Sequence, residues 1–180
     1  MSDLIIIAAI GKDREIGYKN NLIWRLKEDL DFFRTTITNK LIVMGRKTYD
    51  SIPKNLPAKK YIVISKTLSP SKDIAVFRSI SDFLQFAQTT DEDIYIIGGG
   101  EIYSALLPHT KKLILTEINN ILPEADTHFP SFQKSEYKIR NIGKFNENGT
   151  GYTRNIYEKI KNAASPHFCS PNYLAIIPGS

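Results

Sequence analysis

The stretch WRLKEDLDFF, residues 24–33, places a carboxylate where an apolar side chain would be expected. At 3.6 residues per turn, Leu26, Leu30 and Phe33 share one helix face, and Phe32 widens it. Asp29 projects between Phe32 and Phe33, inside that arc, while Lys27, Glu28 and Asp31 point elsewhere. Apolar neighbours would desolvate such a group and favour its neutral form. A site that retains one uses it to bind a cationic or N–H-rich ligand, or to handle a proton. An aspartate that merely edges the stripe and pairs near the surface fits these residues equally well.

Two further stretches carry the chemistry of anion binding. IIGGGEIY, residues 96–103, runs from an apolar segment through consecutive glycines into a helical one. Glycine lets the backbone approach a ligand closely, and a helix start offers unpaired N–H groups, so phosphate or pyrophosphate contact is expected here. A tight turn needs fewer glycines. The stretch is neither G-x-G-x-x-G nor a P-loop, because no Gly-Lys-Ser/Thr follows, which excludes ATP hydrolysis by that route. MGRKTYDSI, residues 44–52, repeats the arrangement: Gly45 turns the chain, and Arg46, Lys47 and Thr48 open the next helix. Cations are disfavoured at that end unless an anion binds. Solvated surface charges read this stretch equally well. Ser65-Lys66 and Arg78 end the next two strands and would add positive charge on the same side, as a ligand with one isolated phosphate requires.

The elements that position these residues are short and regularly spaced. Strands are expected at 4–10, 40–45, 60–65, 74–77, 93–98 and 112–118, β-branched and mostly apolar on both faces, as in a sheet covered by helices on both sides. A more polar segment at 152–160 forms a late antiparallel edge pair with 137–142. Helices are expected at 25–36, 46–51, 80–88 and 101–107, the last stopped by Pro108. Alternation of strand and helix predicts a mixed, largely parallel α/β sheet with right-handed crossovers, and ligands bind beyond the carboxyl ends of such strands.

The chain of 180 residues suits one domain, expected at 1–161, followed by a tail at 162–180 with changed composition and no assigned role. A net charge of +5 hints at anionic partners, yet no block of Lys and Arg interleaved with aromatics indicates a nucleic-acid surface. The single cysteine, Cys169, excludes an internal disulfide and fits a reducing compartment. His109, His128 and His167 lack metal-ligand spacing, so no metal is expected. The start, MSDLIIIAAIGKDRE, has no basic segment, and its apolar run is too short to span a membrane; a cytoplasmic location is expected.

IIIAAI, IGYKNNLIW, LKEDLDFF, IVMGRKTYDSI, LPAKKYIVIS, IIGGGEIY, LILTEI and DTHFP occur in order from residue 4 to about 160. Taken together they resemble bacterial dihydrofolate reductase of the chromosomal type. The resemblance implies a three-layer fold, with a central eight-stranded, mostly parallel sheet, an antiparallel C-terminal strand and four flanking helices. It implies an NADPH-dependent oxidoreductase that reduces 7,8-dihydrofolate to tetrahydrofolate for one-carbon metabolism, with hydride delivered to C6 and a proton to N5. The partners it implies are dihydrofolate and antifolate inhibitors, with no nucleic acid and no membrane, and the protein is expected to be a monomer.

By the same matching, Asp29 is the catalytic carboxylate, bonding the pterin 2-amino group and ring N–H, with Thr116 as its orienter and Trp24 holding a water beside it. Tyr103 and Leu22 complete the catalytic set, Tyr103 lying near the nicotinamide. Ile7, Ala8, Leu30, Phe33, Ile52, Leu56 and Ile97 would line the substrate cleft, with Lys54 and Lys59 toward the glutamate tail. Ala9 and the loop Ile16–Leu22, including Gly17 and Asn20, would cover the nicotinamide. Gly98, Gly99, Gly100, Glu101, Ile102 and Tyr103 would meet the pyrophosphate. Gly45, Arg46, Lys47, Thr48, Ser65, Lys66 and Arg78 would meet the adenosine phosphates, Arg46 and Lys66 flanking the 2′-phosphate. The Gly99-Gly100 bond is expected to be cis.

Two positions depart from the family pattern. Lys59 stands where an arginine would clamp the folate α-carboxylate, and lysine lacks the planar fork. Ile23 replaces the proline before the tryptophan. Other readings are the pyrimidine reductase of riboflavin synthesis, which lacks the Trp24–Asp29 spacing, and a catalytically weakened NADPH- or antifolate-binding module.

Overall fold

The computed structural model describes residues 2–160, so the expected tail at 162–180 lies outside the described residues. The central strand β1 (Leu4–Ile10) is apolar throughout because alternate side chains enter two different cores. Ile5 and Ile7 join one cluster, while Leu4, Ile6 and Ile10 join another on the opposite face. After the short β2 (Glu15–Tyr18) and β3 (Asn21–Leu22), the other parallel strands, β4 (Leu41–Gly45), β5 (Lys60–Ile64), β6 (Ile74–Phe77), β7 (Ile94–Gly98) and β8 (Lys112–Ile118), follow in chain order. Helices α1 (Lys27–Ile37), α2 (Arg46–Ser51), α3 (Ile80–Thr89) and α4 (Gly100–Leu106) lie close to their expected spans.

The main sheet has eight strands in the order β10-β11-β8-β1-β7-β4-β5-β6, where β10 is Tyr137–Glu147 and β11 is Thr150–Lys159. All neighbours from β8 to β6 are parallel; β11 runs antiparallel to β8 and to β10. Phe33 and Ile37 of α1, Tyr49 of α2 and Ile52 just after it pack on one face. Phe83 and Ala87 of α3, and Ile102 and Leu106 of α4, pack on the other. The chain therefore leaves the adjacent strands β4 and β7 toward opposite faces. Their carboxyl ends, Gly45 and Gly98, flank the switch point at which such sheets bind ligands.

Two features were not expected. β10 runs on to Glu147, past a register shift between Asn141 and Gly143, and the turn to β11 is Asn148-Gly149 with φ of 52° and 81°. Those angles suit a two-residue hairpin turn. A second sheet, in the order β3-β2-β9, joins β2 (Glu15–Tyr18), β3 (Asn21–Leu22) and β9 (Thr127–His128). Its hairpin also turns through left-handed residues, Lys19 and Asn20. The strands are too short and polar to give a period-2 signal.

α1 begins at Lys27 rather than 25, and its N-cap residue Leu26 has no side chain to offer. The cap comes from the distant hairpin: Glu147 accepts hydrogen bonds from the backbone N–H groups of Lys27 (2.7 Å) and Glu28 (3.1 Å). A carboxylate at this end also complements the positive end of the helix dipole. Glu147→Ala is expected to lower stability by about 1 kcal/mol, the usual scale for a lost cap, measured by urea denaturation. No change would mean that α1 needs no such anchor.

Candidate active site

Asp29 sits in the first turn of α1, its side chain only 16% exposed. Thr116 Oγ1, on β8, donates to Asp29 Oδ1 at 2.5 Å. A second donor reaches the same oxygen: Arg154 Nη2, on β11, at 2.8 Å. Arg154 and Thr116 are direct cross-strand partners, and Arg154 Nε also donates to Thr116 Oγ1 at 3.2 Å. Both protein hydrogen bonds to the carboxylate thus fall on Oδ1.

Arg154 is 2% exposed, so its charge must be met inside the protein. Glu28, read from the helix pattern as pointing away, instead turns to it with both oxygens, at 3.1 and 2.9 Å. The Tyr152 hydroxyl donates to Glu28 Oε2 at 2.9 Å. The guanidinium carbon lies 3.7 Å from the Phe32 ring centroid and 4.8 Å from that of Phe145, a cation held by aromatic faces. Burial works against the Arg154 charge, but the hydrogen bonds to Glu28 and Asp29 outweigh it and raise its pKa. The hydrogen bond from Arg154 holds the Glu28 carboxyl below the usual range, against burial and with help from Tyr152. Burial, then the bond to Glu28, pushes the Tyr152 phenol well up. By linkage, Glu28 contributes stability above its unfolded value, and loses it as pH falls through the depressed one.

Near this network the indole Nε1 of Trp24 is buried and, among the described residues, has no hydrogen-bond partner. Trp24 packs with Ala9, Leu26, Ile118 and Tyr152. An orphaned buried donor is costly unless a ligand or water meets it.

The apolar wall is assembled from both halves of the sheet. Ile7 belongs to one cluster and Leu56 to its neighbour, with Ile52 packed on the latter. Phe33 and Ile97 pack on both. Ala8 turns to the opposite core, and half-buried Leu30 belongs to none of the clusters. The expected tail-binding lysines are engaged elsewhere in this structure. Lys59 Nζ pairs with Glu92 at 2.7 and 2.8 Å, and Lys54 lies 3.7 Å over the Tyr49 ring. Both lysines are solvent-exposed, and the ion pair of Lys59 is of the weak surface kind.

At the switch point the chain leaves β7 through Gly98, whose φ of +125° is a conformation that side-chain-bearing residues rarely adopt. The cis bond is Gly98-Gly99, not Gly99-Gly100: α4 already starts at Gly100, so the turn is made one residue earlier. A Cβ on Gly99 would stand 3.1 Å from Thr48 Oγ1 of α2, and one on Gly100 would stand 2.9 Å from Thr127 and 3.9 Å from Ile16. The triplet is therefore a bare strip of backbone between α2 and the Ile16–Leu22 hairpin. Tyr103 lies behind it, fully packed, its hydroxyl donating to the Ile7 carbonyl at 2.9 Å; burial pushes its phenol far above the ordinary tyrosine range. It ties α4 to β1.

The expected cations divide. Lys47 and Lys66 are exposed, and Lys47 borders a cavity of about 500 Å³ with Asn20, Asp126 and Thr127. Arg46 pairs with Asp50 at 2.9 Å. Arg78 Nη1 donates to the carbonyls of Ser65 (2.9 Å) and Leu68 (2.7 Å), and Ser65 Oγ accepts from Thr67 and Leu68, so both brace the loop after β5. Glu101 is exposed, Ile102 is buried against Gly45, and Gly17 pairs with Leu22. Leu22 is 57% exposed, an apolar side chain left uncovered among the described residues.

A doubly wound sheet with a mostly buried carboxylate beside apolar side chains and a glycine triplet at its switch point has the layout of a ligand-binding enzyme of the α/β class. The family model "Dihydrofolate reductase" matches residues 3–159. The chain is 35% identical over 155 residues to dihydrofolate reductase of Bacillus subtilis (strain 168), covering 84% of this chain and 88% of that protein. It is 43% identical over 136 residues to the enzyme of Buchnera aphidicola subsp. Acyrthosiphon pisum, covering 75% and 83%. With that of Haemophilus influenzae it shares 37% over 134 residues, covering 74% and 82%. This chain belongs to the dihydrofolate reductase family, a family of oxidoreductases that use a nicotinamide cofactor.

Reading the sequence missed Arg154, Glu28 and Tyr152. Their signal was present: Tyr152, Arg154 and Ile156 alternate on one face of the last strand, and only the arginine is out of character there.

Proposed function

We propose that this protein reduces 7,8-dihydrofolate to 5,6,7,8-tetrahydrofolate with NADPH, acting as a cytoplasmic monomer whose cleft also admits antifolates. The observation that carries this reading is Asp29, a mostly buried carboxylate beside apolar side chains, with Oδ1 fixed by Thr116 and Arg154 and, among the described residues, no hydrogen-bond partner on Oδ2. Oδ2 accepts the pterin 2-amino and ring N–H donors, charge-assisted bonds that are strong in a dry site. The negative charge favours protonation at N5. Trp24 Nε1 donates to a water or to the ligand. Ile7, Phe33, Ile52, Leu56 and Ile97 exclude water from the ring.

The bare backbone of Gly98–Gly100, the exposed ammonium groups of Lys47 and Lys66, and the hydroxyl of Thr48 make a donor set that fits a phosphate-rich cofactor. Bound NADPH supplies the hydride for C6. The chain's own contribution is to hold the reacting faces together beneath the Ile16–Leu22 hairpin and to keep water out. The test is loss of nicotinamide absorbance with dihydrofolate, run beside a pterin that lacks the benzoylglutamate tail. Oxidation dependent on dihydrofolate is expected; none would refute the reading.

Lys59→Arg is expected to lower KM for dihydrofolate about threefold and leave the tail-less pterin unchanged, because the guanidinium offers a fork to the α-carboxylate. An unchanged or raised KM would mean that Lys59 serves Glu92 alone.

A further inference from the structure

Arg154 is a buried cation against the proposed catalytic carboxylate, and orienting that carboxylate does not require it, since Thr116 already does so. Its geometry does something Thr116 cannot do alone. A threonine hydroxyl has one proton and can point either way. Because Arg154 Nε donates into Thr116 Oγ1, the hydroxyl proton is left to point at Asp29 Oδ1, which is thereby fixed as an acceptor. Nη2 donates to the same oxygen. A proton held by this carboxylate must then sit on Oδ2, the oxygen left to the ligand.

We propose that Arg154 is a positioning residue for the reaction: it fixes the polarity of the Thr116–Asp29 bond, leaves Oδ2 as the ligand-facing acceptor, and opposes proton uptake in the cleft, while Glu28 tempers its charge. This rests on the functional reading above. The opposition holds whether the proton resides on the carboxylate or on a substrate nitrogen bound against it, since the guanidinium, 2.8 Å from Asp29 Oδ1, disfavours added positive charge on that carboxylate and, less strongly, beside it. The charged and titratable groups around the Glu28–Tyr152–Arg154 cluster that meets Asp29 are Asp31 on α1 and Glu147 at the hairpin. Glu117, next along β8, faces away toward Tyr157 and Lys134. Arg154 is the one cation hydrogen-bonded to Asp29 among the described residues, and Glu28 is its bidentate counter-charge.

The test is the single-turnover rate of hydride transfer to dihydrofolate against pH, for the parent, Arg154→Met, Glu28→Gln, the double variant and Arg154→Lys. In the parent the rate is expected to fall as pH rises, since the reaction takes up a proton. Arg154→Met is expected to move the midpoint of that fall up by about one pH unit or more, and Glu28→Gln to move it down. The double variant returns toward the parent. Arg154→Lys keeps the midpoint near the parent's but raises KM, because one ammonium cannot span Glu28, Thr116 and Asp29. Opposed shifts from two neighbouring side chains are not what a packing defect produces. Unmoved midpoints, or shifts of the same sign, overturn the proposal. If Arg154→Met does not fold by circular dichroism, Glu28→Gln decides: a midpoint that stays put or rises overturns it. An inactive parent refutes the functional reading and this proposal with it, whereas an active parent with unmoved midpoints refutes the proposal alone.

Discussion

Asp29→Asn is expected to reduce dihydrofolate turnover by about 10²- to 10³-fold while leaving NADPH affinity within about twofold. The amide keeps the size of the carboxylate but loses the charge that holds the pterin donors and favours a proton at N5. With the amide oxygen held by Thr116 and Arg154, it also presents an N–H₂ donor where the ligand-facing acceptor Oδ2 is needed. The fold should survive, because Arg154 keeps its bidentate bonds to Glu28, and Thr116 can still donate to an amide oxygen. Cofactor affinity is separable because the glycine strip lies on β7 and α4, not on α1. Both effects can be followed in one protein: turnover from nicotinamide absorbance, binding from the fluorescence of Trp24, the only tryptophan in the chain.

The second large effect is expected at Gly98. Gly98→Ala places a side chain on a residue with φ of +125°. The added methyl would meet Tyr103 at 3.4 Å, ordinary contact, so the cost is backbone strain and not overlap. Strain of this kind is worth about 1–3 kcal/mol. If the turn relaxes to relieve it, the strip between α2 and the Ile16–Leu22 hairpin changes shape, and NADPH affinity should fall about tenfold or more. A lower urea midpoint together with a raised dissociation constant would agree. A variant with the parent's values for both would mean that the turn tolerates a side chain, and that its bareness is not what the cofactor needs.

Much of this was legible from residue order. β1 and its parallel neighbours announce themselves because a strand covered on both faces is apolar at every position, as LIIIAAI is. The glycine triplet and the misplaced Asp29 were legible for the opposite reason, as local violations of pattern. What escaped was what depends on distant partners. The start of α1 is set by Glu147, 120 positions from Lys27, and nothing near Leu26 marks it. The cis bond was expected one residue late because three like residues carry no internal register. Lys59 was assigned to a ligand by position, and its exposed pairing with Glu92 crosses 33 positions. Arg154 was the most informative omission. A single arginine in a polar edge strand looks solvated until the sheet is assembled with β11 next to β8, which turns it inward onto Thr116.

That omission changes how the site is understood. An apolar cleft around a lone carboxylate would favour its neutral form; here the carboxylate is instead met by a cation that is itself balanced by Glu28. The acidic residue that looked like surface and the basic one that looked like an edge form a single unit with Asp29.

The most direct measurement compares parent and Asp29→Asn for NADPH consumption at saturating dihydrofolate near neutral pH. Steady oxidation by the parent, with the variant slower by two orders of magnitude or more, is what a carboxylate pinning the heterocycle and drawing a proton to it requires. Equal rates from the two proteins would contradict the account.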